Sequence, residues 1–550
     1  MLKDRCVGEP AHVMAGATGQ GEDTMKASQT RSTTLMQTAN RLAPRAPAPL
    51  RIAADPTDKA QLVAAYIQAL KAQAVSVIGA AKGATLVPIE YNGDFNWDWT
   101  TGNGDINKLT YDYISGAVSP STDIPGACAV GGTGSLPNLY CELVKALNWQ
   151  FNQADNTALQ AALTKSSVQA QAIVSTYTGI YGPITPAQIQ AAQKVSALVQ
   201  EPIDYILTYQ AGYLWAGLPS GSAPISVLKM QGTPNLRQLL QYAPPSAEPV
   251  ILEISAYLNA LGPSASLEDE QNFGGNLLAN LNDNLTPSAT NGGILQSNPP
   301  STQYFPAFSS NMQPGDILAG LQNSSQVATV SFTASSAEQG GYNISFSGGS
   351  SMSWGSLLEI SVGMNFQGDV AAQQGSGSTF DITMTFPGVT MIPFAPASYQ
   401  NNSDGPMGWL DETVLYQALN NYNNGSKDTG FTFQSGLPSG IKLGPGGVGY
   451  LSAVVVSAYP TITVNFAEGD YSAWSQWLAA HASVSVDLFG FIPLGGVNAG
   501  AYSVQAKQNS SGSGFSLTLT PPAVATSTSA PNQGVPVLAG QVAWLGSSEA

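Results

Sequence analysis

Histidine is almost missing from this chain: His12 and His481 are the two in 550 residues. That scarcity argues against zinc centres, histidine-based triads and histidine general bases. Charge is scarce as well. Charged residues make up 10% of the chain, against about 25% in typical soluble domains. The hydrophobic fraction, 43%, is ordinary, so Ser, Thr, Asn and Gln must supply the polar surface. Basic residues are the rarest charged class. There are 19 against 35 acidic, and from residue 301 onward only Lys427, Lys442 and Lys507. An acidic half of that kind repels phosphate, which excludes nucleic acid and a purely electrostatic hold on anionic lipid.

Long apolar runs are also lacking. Residues 1–50 have no run of the length a secretory leader needs, and no uncharged apolar run of 18 residues occurs elsewhere, so neither a leader nor a transmembrane helix is expected. Composition still leans toward an extracellular or cell-surface protein. Three cysteines are present. Cys128 and Cys141 flank a glycine-rich stretch, and a disulfide between them is expected in an oxidising compartment, worth roughly 3 kcal/mol. Cys6 is left over.

Patterning gives an α+β chain. Residues 1–55 lack periodicity and are expected to be a disordered tail. Asp55-Pro56 opens a helix with Leu62, Val63, Tyr66, Ile67, Leu70 and Ala74 on one face. Further helical patterns cover 138–178, a helix capped by Thr185-Pro186 with a kink at Pro202, 250–261 and 267–285. This predicts an N-terminal helical bundle over 56–285. A Pro-, Asn- and Ser-rich linker is expected over 286–326. An antiparallel β-rich sandwich or barrel-like domain is expected over 327–550, with helical insertions near 406–424 and 470–482. Within it, Leu358, Ile360, Val362, Met364 and Phe366 alternate with polar residues. Phe380, Ile382, Met384 and Phe386 do the same after a polar loop. The two runs predict one long hairpin.

The stretch Tyr91–Asp105 holds the candidate site. Asp94, Asn96 and Asp98 alternate with Phe95, Trp97 and Trp99, so an extended strand would put polar groups on one face and rings on the other. Asp94-x-Asn96-x-Asp98 with Asp105 at loop position 12 is similar to the spacing of EF-hand and dockerin-type calcium loops. Trp99 stands where those loops need glycine. The second reading is a carbohydrate or polar-ligand platform, with Trp97 and Trp99 stacking on sugar faces beside Asp94, Asn96, Asp98 and Asp105. In the third, the rings simply plug the core.

Three functional classes remain. The first is a non-enzymatic binding protein at a cell surface or membrane, its partner a carbohydrate, a membrane or a protein surface. Helices followed by strands is also the element order of insecticidal pore-forming toxins, and the hairpin arms have about the 9–11 residues that cross a bilayer. The second is a polysaccharide-active enzyme using carboxylates, drawn from Asp94, Asp98, Asp411, Glu412 and Asp470. The third is a structural or assembly subunit pairing through strand edges. The balance of the residues favours a protein that is not an enzyme.

Overall fold

A computed structural model describes residues 56–79, 86–90, 93–97, 106–194, 197, 199–209, 240, 243–297, 299–323, 325–337, 341–347, 351–361, 367–369, 379–403, 405–468, 471–480, 483–494, 501–510, 512–524 and 534–547. The class is mixed α+β, with antiparallel sheets curled into half-barrels. The chain divides into two compact units. Unit 1 comprises 1–146, 280–416 and 437–550; unit 2 comprises 147–279 and 417–436. This corrects the expected division into 56–285 and 327–550. The expected 286–326 linker lies inside unit 1, where it carries the helix Pro314–Leu321 and short strands.

The reason is long-range strand pairing. One sheet of unit 1 runs Leu86–Val87, Val537–Trp544, Gly449–Val456, Gly116–Pro120, Cys128–Ser135, with Thr390–Pro393 also pairing to Gly449–Val456. Strands from the first 146 residues therefore complete a sheet built from the last hundred. They were hidden in a stretch that reads as loop. Gly116, Ala117 and Val118 are all buried, so the strand shows no alternation.

The second sheet has 11 strands. Its order is Met352–Trp354, Tyr342–Phe346, Val327–Ser336, Thr379–Pro387, Thr461–Phe466, Phe515–Thr520, Tyr502–Gln508, Ser483–Leu488, Leu358–Ser361, Gln367–Asp369, with Ile492–Leu494 paired to Ser483–Leu488. The predicted hairpin is not formed. Thr379–Pro387 pairs with Val327–Ser336 and Thr461–Phe466, while Leu358–Ser361 pairs with Gln367–Asp369 and Ser483–Leu488. Alternation fixed the faces of both strands, but it carries no information about neighbours. Residues 362–366 and 370–378 lie outside the described residues.

The inner face of this sheet is a core of Phe380, Ile382, Met384, Phe386, Ile462, Val464, Phe466, Phe515 and Leu517. The helix Pro56–Ile78 lays its predicted stripe of Leu62, Val63, Tyr66, Ile67, Leu70 and Ala74 into it. Asp58–Ile78 is long and apolar enough to cross a membrane by length and composition. Here that apolar stripe is buried against strands.

The opposite face explains the low charge. Ser331, Thr383, Thr463, Thr518 and Gln505 form one cross-strand row, and Thr329, Thr385 and Thr461 another. Hydroxyls pair across strands, as in Ser331 Oγ to Thr383 Oγ1 at 3.2 Å and Thr333 Oγ1 donating to Asp381 at 3.1 Å. Such pairs each contribute roughly 0.2–1 kcal/mol.

Unit 2 is the helix-rich part. Its core packs Ile173 and Tyr177 of Gln153–Tyr181 against Ile206, Leu207, Val250, Ile251 and Ile254. Thr185 forms the predicted cap as a full capping box with Gln188. The two helices expected at 250–261 and 267–285 are one, Glu248–Asn284, running through Pro263. A two-stranded ribbon, Leu147–Gln150 with Gly430–Phe433, completes the unit.

Candidate functional site

The described part of the predicted Asp94 site is largely core. Phe95, Asn96 and Trp97 are all buried, because Phe95–Asn96 pairs with Gly534–Val535 rather than lying at a surface. Trp97 is 1% exposed, so it offers no ring to a sugar. Asp94 is half-buried and accepts a hydrogen bond from the Tyr459 hydroxyl. The backbone carbonyl of Asn96 accepts from Thr110 at 2.8 Å. Asp98, Trp99 and Asp105 lie outside the described residues. Among the described residues, no group of three or more His, Cys, Asp or Glu is arranged to hold a metal ion.

The expected Cys128–Cys141 disulfide is not formed. Cys128 is a free thiol, 7% exposed, and burial pushes its pKa up. It sits at the start of its strand, whereas Cys141 lies on the helix Leu136–Ala146.

Asp411 and Glu412 serve structure, as a helix N-terminal turn predicts. Asp411 Oδ1 accepts from the Val414 backbone N–H at 3.1 Å, and its own N–H donates to the Tyr140 hydroxyl at 2.9 Å. Burial raises the Glu412 pKa, and its carboxylate accepts from the Tyr450 hydroxyl.

A second carboxylate pair follows from register. Glu359 lies directly opposite Asp487. Burial, then the Glu359 charge, raises the Asp487 pKa. A raised carboxylate pKa means that the folded state holds its proton more tightly than the unfolded chain. Its contribution is therefore fully present below the unfolded pKa and is lost as pH rises through the folded one. Glu359→Gln removes the charge part of this cost. We expect the variant to be more stable than the parent at pH 7, by roughly 0.2–1 kcal/mol, and the gain to fade below about pH 4. Urea midpoints at the two pH values check this.

The groove that combines aromatic and polar side chains lies in unit 2. It is open, has a volume of about 520 Å³, and is lined by Trp149, Ser266, Asp269, Glu270, Phe273, Gln417, Thr429, Gly430 and Phe431. One wall is a single helix stripe. Ser266, Asp269, Glu270 and Phe273 stand at i, i+3, i+4 and i+7 of Glu248–Asn284, which puts them on one face. Phe273 is 67% exposed, which is unusual for a phenylalanine.

The ribbon makes the floor. Trp149 is directly opposite Phe431, so both rings rise from the same side of the two strands. Trp149 also meets Phe151 edge-on, centroids 4.7 Å apart. Two glycines allow the close approaches. A Cβ at Gly274 would lie 2.1 Å from Trp149 Cδ1, and one at Gly430 would lie 2.7 Å from Gln417 Nε2. Gly430 has φ +138°, a value that L side chains rarely adopt.

Hydrogen bonds fix the floor from below. The Asn152 backbone N–H donates to Thr429 Oγ1 at 2.9 Å, the Thr429 hydroxyl donates to the Asp155 carboxylate, and Asn152 Oδ1 accepts from the Asp155 N–H at 2.8 Å. Buried Asn421 donates to the Asp428 and Phe431 carbonyls at 2.8 and 3.2 Å. It thereby sets the turn that leads into Gly430–Phe433. The groove side chains thus stand on a preorganised frame.

Chemically, the site offers ring faces, two solvated carboxylates, an amide and a hydroxyl. Sequence reading missed it because its residues come from three distant segments. The signal within reach was the 266/269/270/273 stripe, whose mixture of Ser, Asp, Glu and Phe belongs to no single amphipathic face. No protein-family model, no curated protein and no solved structure matches this chain.

Proposed function

We propose that the chain is a non-enzymatic binding protein acting at a cell surface, and that its ligand is a carbohydrate held in the Trp149–Phe273–Phe431 groove. The observation that carries this reading is the exposed Phe273 ring beside Asp269, Glu270 and Gln417 in an open groove. Ring faces cover the C–H faces of a pyranose, and the carboxylates and amide accept from its hydroxyls. This transfers the platform chemistry expected at Trp97 and Trp99 to Phe273 and half-buried Trp149.

The enzyme reading has less support. Asp269 and Glu270 are neighbours on one exposed helix turn, whereas glycoside hydrolysis needs carboxylates facing each other across the scissile bond. The buried Glu412 is held by Tyr450, and Asp411 caps a helix. The pore-forming reading rested on a hairpin free to swing out, and Thr379–Pro387 is hydrogen-bonded along both edges. For assembly through strand edges, the 11-stranded sheet offers described end strands of only three residues, Met352–Trp354 and Gln367–Asp369, while the other sheet ends in the eight-residue Cys128–Ser135.

Phe273→Ala tests the proposal. Phe273 is mostly solvated, so thermal stability should change by no more than about 0.5 kcal/mol. Affinity for the best oligosaccharide on a glycan array, remeasured by calorimetry, should fall at least about tenfold, or about 1.4 kcal/mol. Unchanged affinity would remove the groove from the account.

A further inference from the structure

We propose that the glycan taken by this groove is cationic: a polysaccharide whose sugar rings carry protonated amines. The inference rests on the carbohydrate reading above and names the ligand class of that site. Its basis is charge. The groove presents Asp269 and Glu270, with Glu268 immediately before them, and among the described residues no Lys, Arg or His lines it. The two lining carboxylates are exposed and lie one turn from Phe273 on the same helix face. An ammonium group set over this turn meets carboxylate oxygens and the faces of Phe273 and Trp149 together. Both attract a cation, the rings through their negative π faces. A neutral hydroxyl would use the carboxylates only as hydrogen-bond acceptors.

The rings also favour a glycan over a basic peptide. Half-buried Trp149 on the ribbon and exposed Phe273 on the helix line the same groove, with buried Phe431 beneath, beside Trp149 on the adjacent strand. That arrangement presents extended apolar faces to something flat and repeating. A lysine-rich peptide carries its charges on long flexible side chains and brings no ring to lay on them.

The test compares three probes on the intact protein at low and at 0.5 M salt, on the order of a threefold shorter screening length than at 0.05 M. The probes are glucosamine oligomers, N-acetylglucosamine oligomers of equal length, and oligolysine of equal charge. We expect the glucosamine oligomers to bind at least about tenfold tighter than the acetylated ones at low salt, with the gap closing at high salt. Asp269→Asn with Glu270→Gln should erase the preference, and Phe273→Ala should weaken both sugars. Equal binding of both sugars overturns the cationic assignment and leaves the carbohydrate reading standing. Oligolysine binding as tightly as the glucosamine oligomers overturns it in favour of charge alone. If neither these sugars nor any other glycan binds, both proposals fall together.

Discussion

Phe380→Ala is expected to destabilise the protein by about 3–5 kcal/mol, the usual cost of emptying a phenylalanine site in a packed core. Phe380 is fully buried on the inner face of the 11-stranded sheet. It meets Tyr342 and Phe466 edge-on, with centroids 6.1 and 5.3 Å away. Both neighbouring strands bring backbone to this point, Ala334 on one side and Phe466 on the other, so the cavity has little freedom to collapse. Thr383→Ala, three strand positions on and facing outward, removes the hydroxyl contact with Ser331 and should cost well under about 1 kcal/mol. Paired denaturation curves read the contrast. Similar losses for the two variants would mean that this face does not form the core.

Gly274→Ala is expected to change function most. Its Cβ would lie 2.1 Å from Trp149 Cδ1, far inside van der Waals contact, so the indole must leave its place on the floor. Overpacking of this kind costs typically about 1–3 kcal/mol, and displacement of the ring should abolish oligosaccharide binding. Gly275 provides a matched control one residue on. A Cβ there meets nothing within 4 Å, so Gly275→Ala should stabilise the helix by roughly 0.5–1 kcal/mol and leave binding intact. Two adjacent glycine substitutions with opposite signs would be hard to obtain from any other arrangement of this helix. Equal effects would mean that Trp149 does not pack on Gly274.

Local chemistry was readable from the sequence where elements stand by themselves. The stripe from Leu62 to Ala74, the Thr185 cap and the alternation of Phe380 to Phe386 each depend on neighbours within a few residues, and each is present. Pairing was not readable. Nothing in Gly116–Pro120 or Cys128–Ser135 announces that their sheet is completed by Gly449–Val456 and Val537–Trp544. Nothing in two alternating runs says that they lie apart in one sheet. The candidate site followed the same rule. The aromatic-carboxylate stretch at Asp94 looked like a ligand platform because its residues are contiguous. Phe95 and Trp97 are buried where a remote strand, Gly534–Val535, pairs with Phe95–Asn96. The groove has the complementary history. Trp149, Phe273 and Phe431 are unremarkable in sequence, and they meet only because the ribbon closes and Gly274 lets the helix approach it.

The central claim is that ligand sits on the ribbon and the 266–274 helix face. Backbone hydrogen exchange with and without saturating oligosaccharide locates it directly. The account predicts added protection at 147–150, 266–274 and 429–431, and none on the hydroxyl face of Thr461–Phe466. Protection at Asp94–Trp97 or on the sheet face, with these three segments unchanged, would contradict it.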